Sequence, residues 1–490
     1  MKSSLIIVAL AIGANADGHT DDIATYQPAS DVEEHAKIDL DFRNFDRELE
    51  QGEWDDAWAT YADGGHSVKG DGFRTLRGFS KDLSGEATFD EYMAYHGNAK
   101  YADDYIRAIL WDRLSDDSSA KLDPRPELFA TTSLSDIMVE KMATTGTNLM
   151  HVFIYSTHEL YSALGKCEAG DLDDASGAPH AWDEGWAFYA GSLADGSRYG
   201  SDSHRDSELL YEKADRRGDW FGTYRARLCN SDACAAGETC CWSPAWREED
   251  DDQYSNVNSK LLKLYRAGLV ALRAGDCARA SSYTDEIVAQ MTVILAQNAV
   301  KYTFWADDDE MSQWDDGSQV GHFHASVYAI LPRVARCDAA AAAVLEANMM
   351  LPEDSNPPAA APLVPDGKLA VKAAIESTYA CLGITCADVG GFDWTHDGVR
   401  RVAEPCEDGS SVEDRAAYWA ELDAIHATGA LPDGDEEHAD GDHDGHHGGD
   451  HNEGHDEHAG GDPGAPESDG AAAAYAALAA GLAAGLAAFA

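Results

Sequence analysis

Apolar side chains along most of this chain recur at helical spacing. In "SDVEEHAKIDLDFRNFDRELEQG", Ile38, Phe42, Phe45 and Leu49 fall at i, i+4, i+7 and i+11, which puts them on one face of a helix. Ser30 and Glu33 form a capping box ahead of that run, and Gly52 closes it. The same periodicity predicts helices over residues 136–166, 182–193, 258–274, 281–306, 323–334 and 412–426. The Val/Ile/Thr alternation of strands is scarce. The expected fold class is all-α, built of antiparallel helices. Residues 243–256 read as a linker, and 351–367, with five prolines, as a loop.

An internal echo refines this picture. "LEQGEWDDAWATYADG" from Leu49 resembles "LRAGDCARASSYTDEI" from Leu272, each joining two helical runs through a glycine. "NLMHVFIYSTHE" from Asn148 aligns with "NAVKYTFWADDD" from Asn298. Two related antiparallel helical bundles, residues 17–245 and 255–431, are expected from it. Length agrees, because about 400 residues exceed what a single core usually organises.

Both ends carry processing signals. Lys2, the apolar run from Leu5 to Ile12 and Ala14-Asn15-Ala16 make residues 1–16 a secretory signal peptide. Residues 433–462 are rich in His and Asp, with Ala as their only apolar residue type, so they are expected to form a disordered stalk. Its histidines, His438, His443, His446, His447, His451, His455 and His458, suit loose collection of Zn2+, Cu2+ and Ni2+. Residues 463–490 end in an uncharged Ala-rich tail, and the small residues Ala459-Gly460-Gly461 precede a polar spacer. That order fits a GPI-attachment signal with the lipid on Gly460; a membrane helix and an untethered secreted form are the other readings. A protein anchored to the plasma membrane, at the cell surface or in the periplasmic space, is expected.

A net charge of -53 argues against nucleic-acid partners and favours metal ions. The ten cysteines of an exported chain suggest up to five disulfides; four of them cluster at Cys229, Cys234, Cys240 and Cys241, and "CLGITC" holds Cys381 and Cys386.

Around "MHVFIY" the helix over 136–166 is apolar on nearly every side, which marks a buried helix. His151, Tyr155 and His158 stand at i, i+4 and i+7, with Glu159 beside them, either as half of a metal site or as a hydrogen-bonded core network. "PHAWDEGWAFYAGS" offers the other half: Pro179 suits a helix start, His180, Asp183 and Glu184 fall in its first turn, and Trp182, Trp186 and Tyr189 form a stripe. Acidic residues in a first turn also simply complement the helix dipole. Gly185, Ala187 and Ala190 let a neighbouring helix come close. G-x-S-x-G, H-E-x-x-H and phosphate-binding glycine loops are missing from the sequence, so no enzyme is expected.

Four stretches, "HGNAKYADDYIRAIL", "HAWDEGWAFYAGSL", "AGDCARASSYTDEIVAQMTVILAQNAVKYTF" and "YACLGITCADVGG", resemble the algal low-iron-inducible periplasmic proteins. These iron-assimilating proteins are also described as high-CO2-inducible and are related to the iron-starvation-induced phytotransferrins. The resemblance runs from Val32 to Trp419. It implies extracellular, non-enzymatic iron binding in support of uptake. Fe3+ is then the expected cargo, with carboxylate and phenolate oxygens, His and an anion such as carbonate as its ligands, and a reductase or endocytic machinery the expected partner. Two other functions stay open: a secreted zinc enzyme or accessory protein for inorganic-carbon supply, and an acidic calcium-binding wall or adhesion protein.

Overall fold

Gly52 ends one helix and lets the next begin, and it does so by adopting φ 73° in the left-handed region, where a side chain would be strained. The computed structural model describes residues 22–128, 134–194, 209–223, 255–306, 317–349, 367–396, 399–411 and 414–431. Helices dominate them, as expected. The first run is α1 (Glu33–Ala36), α2 (Ile38–Gln51), α3 (Trp54–Asp63), α4 (Ala87–His96) and α5 (Tyr101–Leu110). Next come α6 (Asp136–Gly146), a π-helical turn over Thr147–Val152, α7 (Phe153–Glu168), α8 (Ala178–Ala190) and α9 (Leu210–Phe221). The later helices are α10 (Asn256–Arg273), α11 (Cys277–Ala306), α12 (Ser318–Cys337) and α13 (Ala339–Asn348). α14 (Gly367–Glu376), α15 (Tyr379–Leu382), α16 (Cys386–Val389) and α17 (Ala416–Thr428) complete the series. Two small antiparallel hairpins, Val68–Lys69 with Gly72–Phe73 and Phe392–His396 with Val399–Ala403, were not anticipated.

Ile38, Phe42, Phe45 and Leu49 all turn inward, as their spacing requires. The capping box ahead of them does not form. Val32 is the cap residue of α1 and makes no side-chain cap bond, while the Ser30 hydroxyl is drawn to Asp183 and His180. A tertiary partner outcompetes the local one, and the run breaks at Lys37 into α1 and α2.

Packing places α8 at the centre of the region that matters. It lies against α7, α10 and α1. Trp182, Trp186 and Tyr189 are fully buried, and each polar tip is satisfied: Trp182 Nε1 donates to the Tyr265 carbonyl at 2.9 Å, Trp186 Nε1 to the Ile23 carbonyl at 2.9 Å and Tyr189 Oη to Asn258 Oδ1 at 2.5 Å. Two glycines make this approach possible. A Cβ on Gly268 of α10 would sit 2.0 Å from the Trp182 ring, and one on Gly185 would meet the Ser156 carbonyl of α7 at 3.2 Å.

Helices from before and after residue 250 pack on one another, α6 against α12 and α7 against α11. They belong to one compact unit that ends at Pro432. The boundary expected near residue 250 falls within 224–254, outside the described residues. Gly275 repeats the Gly52 device with φ 73° between α10 and α11, so the two echoing segments do share a left-handed glycine junction. Disulfides join Cys167 to Cys277, Cys337 to Cys381 and Cys386 to Cys406. The two cysteines of "CLGITC" thus have different partners. Cys229, Cys234, Cys240 and Cys241, the signal peptide, the His/Asp tract, Gly460 and the Ala-rich tail lie outside the described residues. Among the described residues no helix is long and apolar enough to cross a membrane.

Candidate metal centre

His180 and Glu184 stand one turn apart on α8, and His35 reaches them from α1. His180 Nε2 lies 3.0 Å and His35 Nε2 2.6 Å from the same oxygen, Glu184 Oε1. The three ligating atoms lie within 4.8 Å of one another, the group among the described residues able to hold a metal ion. Glu184 and His180 are partly buried and His35 buried.

The shell behind these residues fixes their orientation. His180 Nδ1 is 2.8 Å from Ser30 Oγ, whose hydroxyl donates to Asp183 Oδ2 at 3.1 Å. Ser30 therefore accepts from Nδ1–H, which turns Nε2 of His180 toward Glu184 Oε1 at 3.0 Å. That nitrogen and that oxygen share whatever cation lies between them, be it a proton or a metal. Asp183 itself is saturated. It accepts from Tyr26 Oη at 2.6 Å, the Ala29 and Ser30 amides at 2.7 and 3.1 Å, and Ser30 Oγ. Burial pushes its pKa up to about 7 against these donors.

Electrostatics separates the neighbouring acids. Burial works to raise the Glu184 pKa, but hydrogen bonds with His180 and His35 win and hold it well below the usual carboxylate range. Glu159 of α7 goes the other way, pushed up to about 8 by burial and then by the charge and hydrogen bond of Glu184. Near neutrality Glu159 carries the proton that the two carboxyls share. The Tyr155 hydroxyl sits beside Glu159, raised above its ordinary pKa by burial and by the charges of Glu159 and Glu184, with its ring stacked on Phe79 at 4.1 Å. His35 has its pKa lowered by burial, which outweighs the pull of Glu184; its ring is neutral at pH 7 and able to ligate.

Of the residues singled out from sequence, His180, Glu184, Tyr155 and Glu159 come together, and Asp183 stands behind them. His151 and His158 do not join. His151 Nε2 meets Tyr61 Oη at 2.9 Å, and Tyr61 donates to Asp103 at 3.0 Å, which is the core network that the sequence left open. His158 Nδ1 pairs with Glu86 at 2.5 Å. The π-helical turn over Thr147–Val152 is wider than an α turn and shifts His151 off the i, i+4 face of Tyr155, while His158 lies with Tyr155 in regular helix, its ring 5.2 Å away, and turns its Nδ1 to Glu86 instead. α8 also begins at Ala178, so Asp183 and Glu184 occupy its second turn and not its first; complementing the helix dipole does not explain them. Sequence reasoning missed His35, which follows two glutamates on a four-residue helix. Its one signal was an odd polar residue at a buried position.

No curated protein and no solved structure matches the chain. The family match ends at residue 210, so two of the four motifs behind the resemblance, those beginning at Ala274 and Tyr379, lie beyond it. Residues 3–210, which include every residue of the candidate centre just described, match the model of the low iron-inducible periplasmic protein family.

Proposed function

We propose that this protein is a non-catalytic iron receptor of the cell exterior, binding Fe3+ as cargo at His35, His180 and Glu184 in support of iron assimilation. The observation that carries the reading is the convergence of three ligating atoms within 4.8 Å, with Ser30 and Asp183 holding one imidazole in its metal-ready tautomer. Glu159 and Tyr155 lie alongside as reserve oxygen donors. Together with Glu184 they supply three oxygens whose ionised forms balance a trivalent ion, and such hard donors suit Fe3+. The acidic chain, at -53, raises the local concentration of cations. The His/Asp tract at 433–462 is proposed as a separate, looser collector, and the C-terminal tail as a lipid anchor that keeps both at the membrane.

Metal analysis of protein ending at Leu431 tests this. Tight stoichiometric iron is expected, lost in His180→Ala and Glu184→Gln, retained in His151→Ala, and weakened in Tyr155→Phe, which removes one oxygen and keeps the Phe79 stack. Metal-free protein would sink the reading. Two imidazoles with one carboxylate also form the three-ligand set of zinc sites with an open position, so zinc is the competing cargo. Tighter zinc than iron, with hydration of CO2 by the purified protein, would favour the enzyme instead.

A further inference from the structure

The centre already contains a cation. Arg74 follows the hairpin Val68–Phe73 and folds its side chain back: Nη1 donates to the Val68 carbonyl, and Nη2 contacts His35 Nε2, the atom that also lies 2.6 Å from Glu184 Oε1. Glu184, Tyr155, Glu159 and Glu34 are the acidic groups whose fields act on its guanidinium.

We propose that Arg74 is the resident occupant of the cation site, an internal cation that an arriving metal displaces, and therefore the residue that sets the affinity threshold for capture. The proposal rests on the metal reading of His35, His180 and Glu184. An imidazole nitrogen has one in-plane position, filled by either a proton or a lone pair. Facing Glu184, His35 Nε2 needs the proton; facing Arg74, it needs the lone pair. A metal on Nε2 takes that lone pair, and the guanidinium loses its acceptor. Its route out is open, because residues 68–73 are exposed. The hairpin itself stays pinned without it: the Arg74 amide donates to the Ser67 carbonyl at 2.7 Å, Ser67 Oγ to the Glu34 carbonyl at 2.6 Å, and His66 Nδ1 pairs with Asp41 at 2.7 Å. The side chain can swing away while the backbone holds.

Displacement has a signature that a fixed positive neighbour lacks. Expelling the guanidinium costs the same for every ion, so removing it raises the affinities of divalent and trivalent ions by one common factor. A guanidinium that stayed would repel in proportion to ionic charge, and the trivalent ion would gain by roughly the 3/2 power of the divalent gain.

The experiment titrates the full chain and its Arg74→Gln variant with ferric citrate and with Zn2+, subtracting the binding that persists in His180→Ala to remove the His/Asp tract. Both affinities are expected to rise about tenfold, by the same factor. As a readout independent of any variant, Arg74 of the wild type is labelled with a dicarbonyl reagent and mapped by mass spectrometry; iron loading is expected to speed its modification several-fold. Weaker binding in Arg74→Gln would mean that the arginine holds a co-bound anion or the His35 ring, and would overturn the proposal. A gain that scales with charge, or unchanged or slower labelling on loading, would overturn it too while leaving the metal reading intact. Wild-type protein with no tight site sensitive to His180→Ala would end both.

Discussion

Ser30 shows how one hydroxyl can be misread from sequence and still matter. Its spacing to Glu33 reads as a cap, but the hydroxyl bridges His180 Nδ1 and Asp183 Oδ2. Ser30→Ala should leave Asp183 with Tyr26 and two backbone amides while freeing the His180 ring to turn. A drop of about 10- to 100-fold in metal affinity is expected, with a stability loss of only about 1 kcal/mol; isothermal titration and thermal melting measure the two separately. His180 and Glu184 were legible because i, i+4 spacing beside an aromatic stripe puts them on one partly buried face. His35 and Arg74 were not, since their roles come from the tertiary approach of α1 and of a hairpin with two-residue strands to a helix more than a hundred residues away.

At the scale of elements, the long amphipathic helices could be read directly: α10, α11, α12 and α17 overlap the predicted spans with ends shifted by a few residues. The π-helical turn was invisible, because nothing in apolar periodicity distinguishes one wide turn inside a helix buried on all sides. His151 lies within this turn and meets Tyr61. The closeness of α8 to α10 depends on Gly268, where a Cβ would sit 2.0 Å from the Trp182 ring. Gly268→Ala should therefore cost about 1–3 kcal/mol through overpacking. Because Trp182 belongs to the helix that carries His180 and Glu184, the variant should lose metal affinity along with thermal stability. A calorimetric scan with and without iron tests this: an Ala variant with the wild-type melting temperature would mean that the helices can part without strain.

For the whole molecule, buried ionisable groups set how the metal-free fold responds to acid. Burial holds His96 at about 3, His324 at about 3 and His151 at about 4, and lowers His322 and His35 as well. Each stays neutral in the fold but takes a proton when unfolded below its ordinary pKa near 6.5, so each withdraws stability as pH falls from about 6.5. Three buried acids oppose this: Asp39 at about 6, Asp183 at about 7 and Glu159 at about 8. They hold protons in the fold that the unfolded chain releases, which adds stability as pH falls toward about 4. Between about pH 6.5 and 4 the two sets partly cancel, and the melting temperature should fall gently. Below about 4 the acids become protonated in both states and stop contributing, while His96 and His324 still refuse the proton, so a steep loss is expected. Melting curves of metal-free protein from about pH 8 to 3 check this; a melting temperature that rises on acidification below about pH 4 would contradict it.

The bridge between Cys167 and Cys277 encloses α8 in a covalent ring, since His180 and Glu184 both lie between those two positions. Closing a ring of that size removes on the order of 4–5 kcal/mol of freedom from the unfolded chain, and the bridge fastens the end of α7 to the start of α11 on either side of the helix that bears two of the three ligands. If the site captures iron outside the cell as proposed, oxidation is a step in its maturation: in a reducing compartment the ring is open and the site less firmly assembled, and in an oxidising one it is locked. Redox chemistry would then time the chain's competence to capture iron, withholding it in the one compartment and granting it in the other.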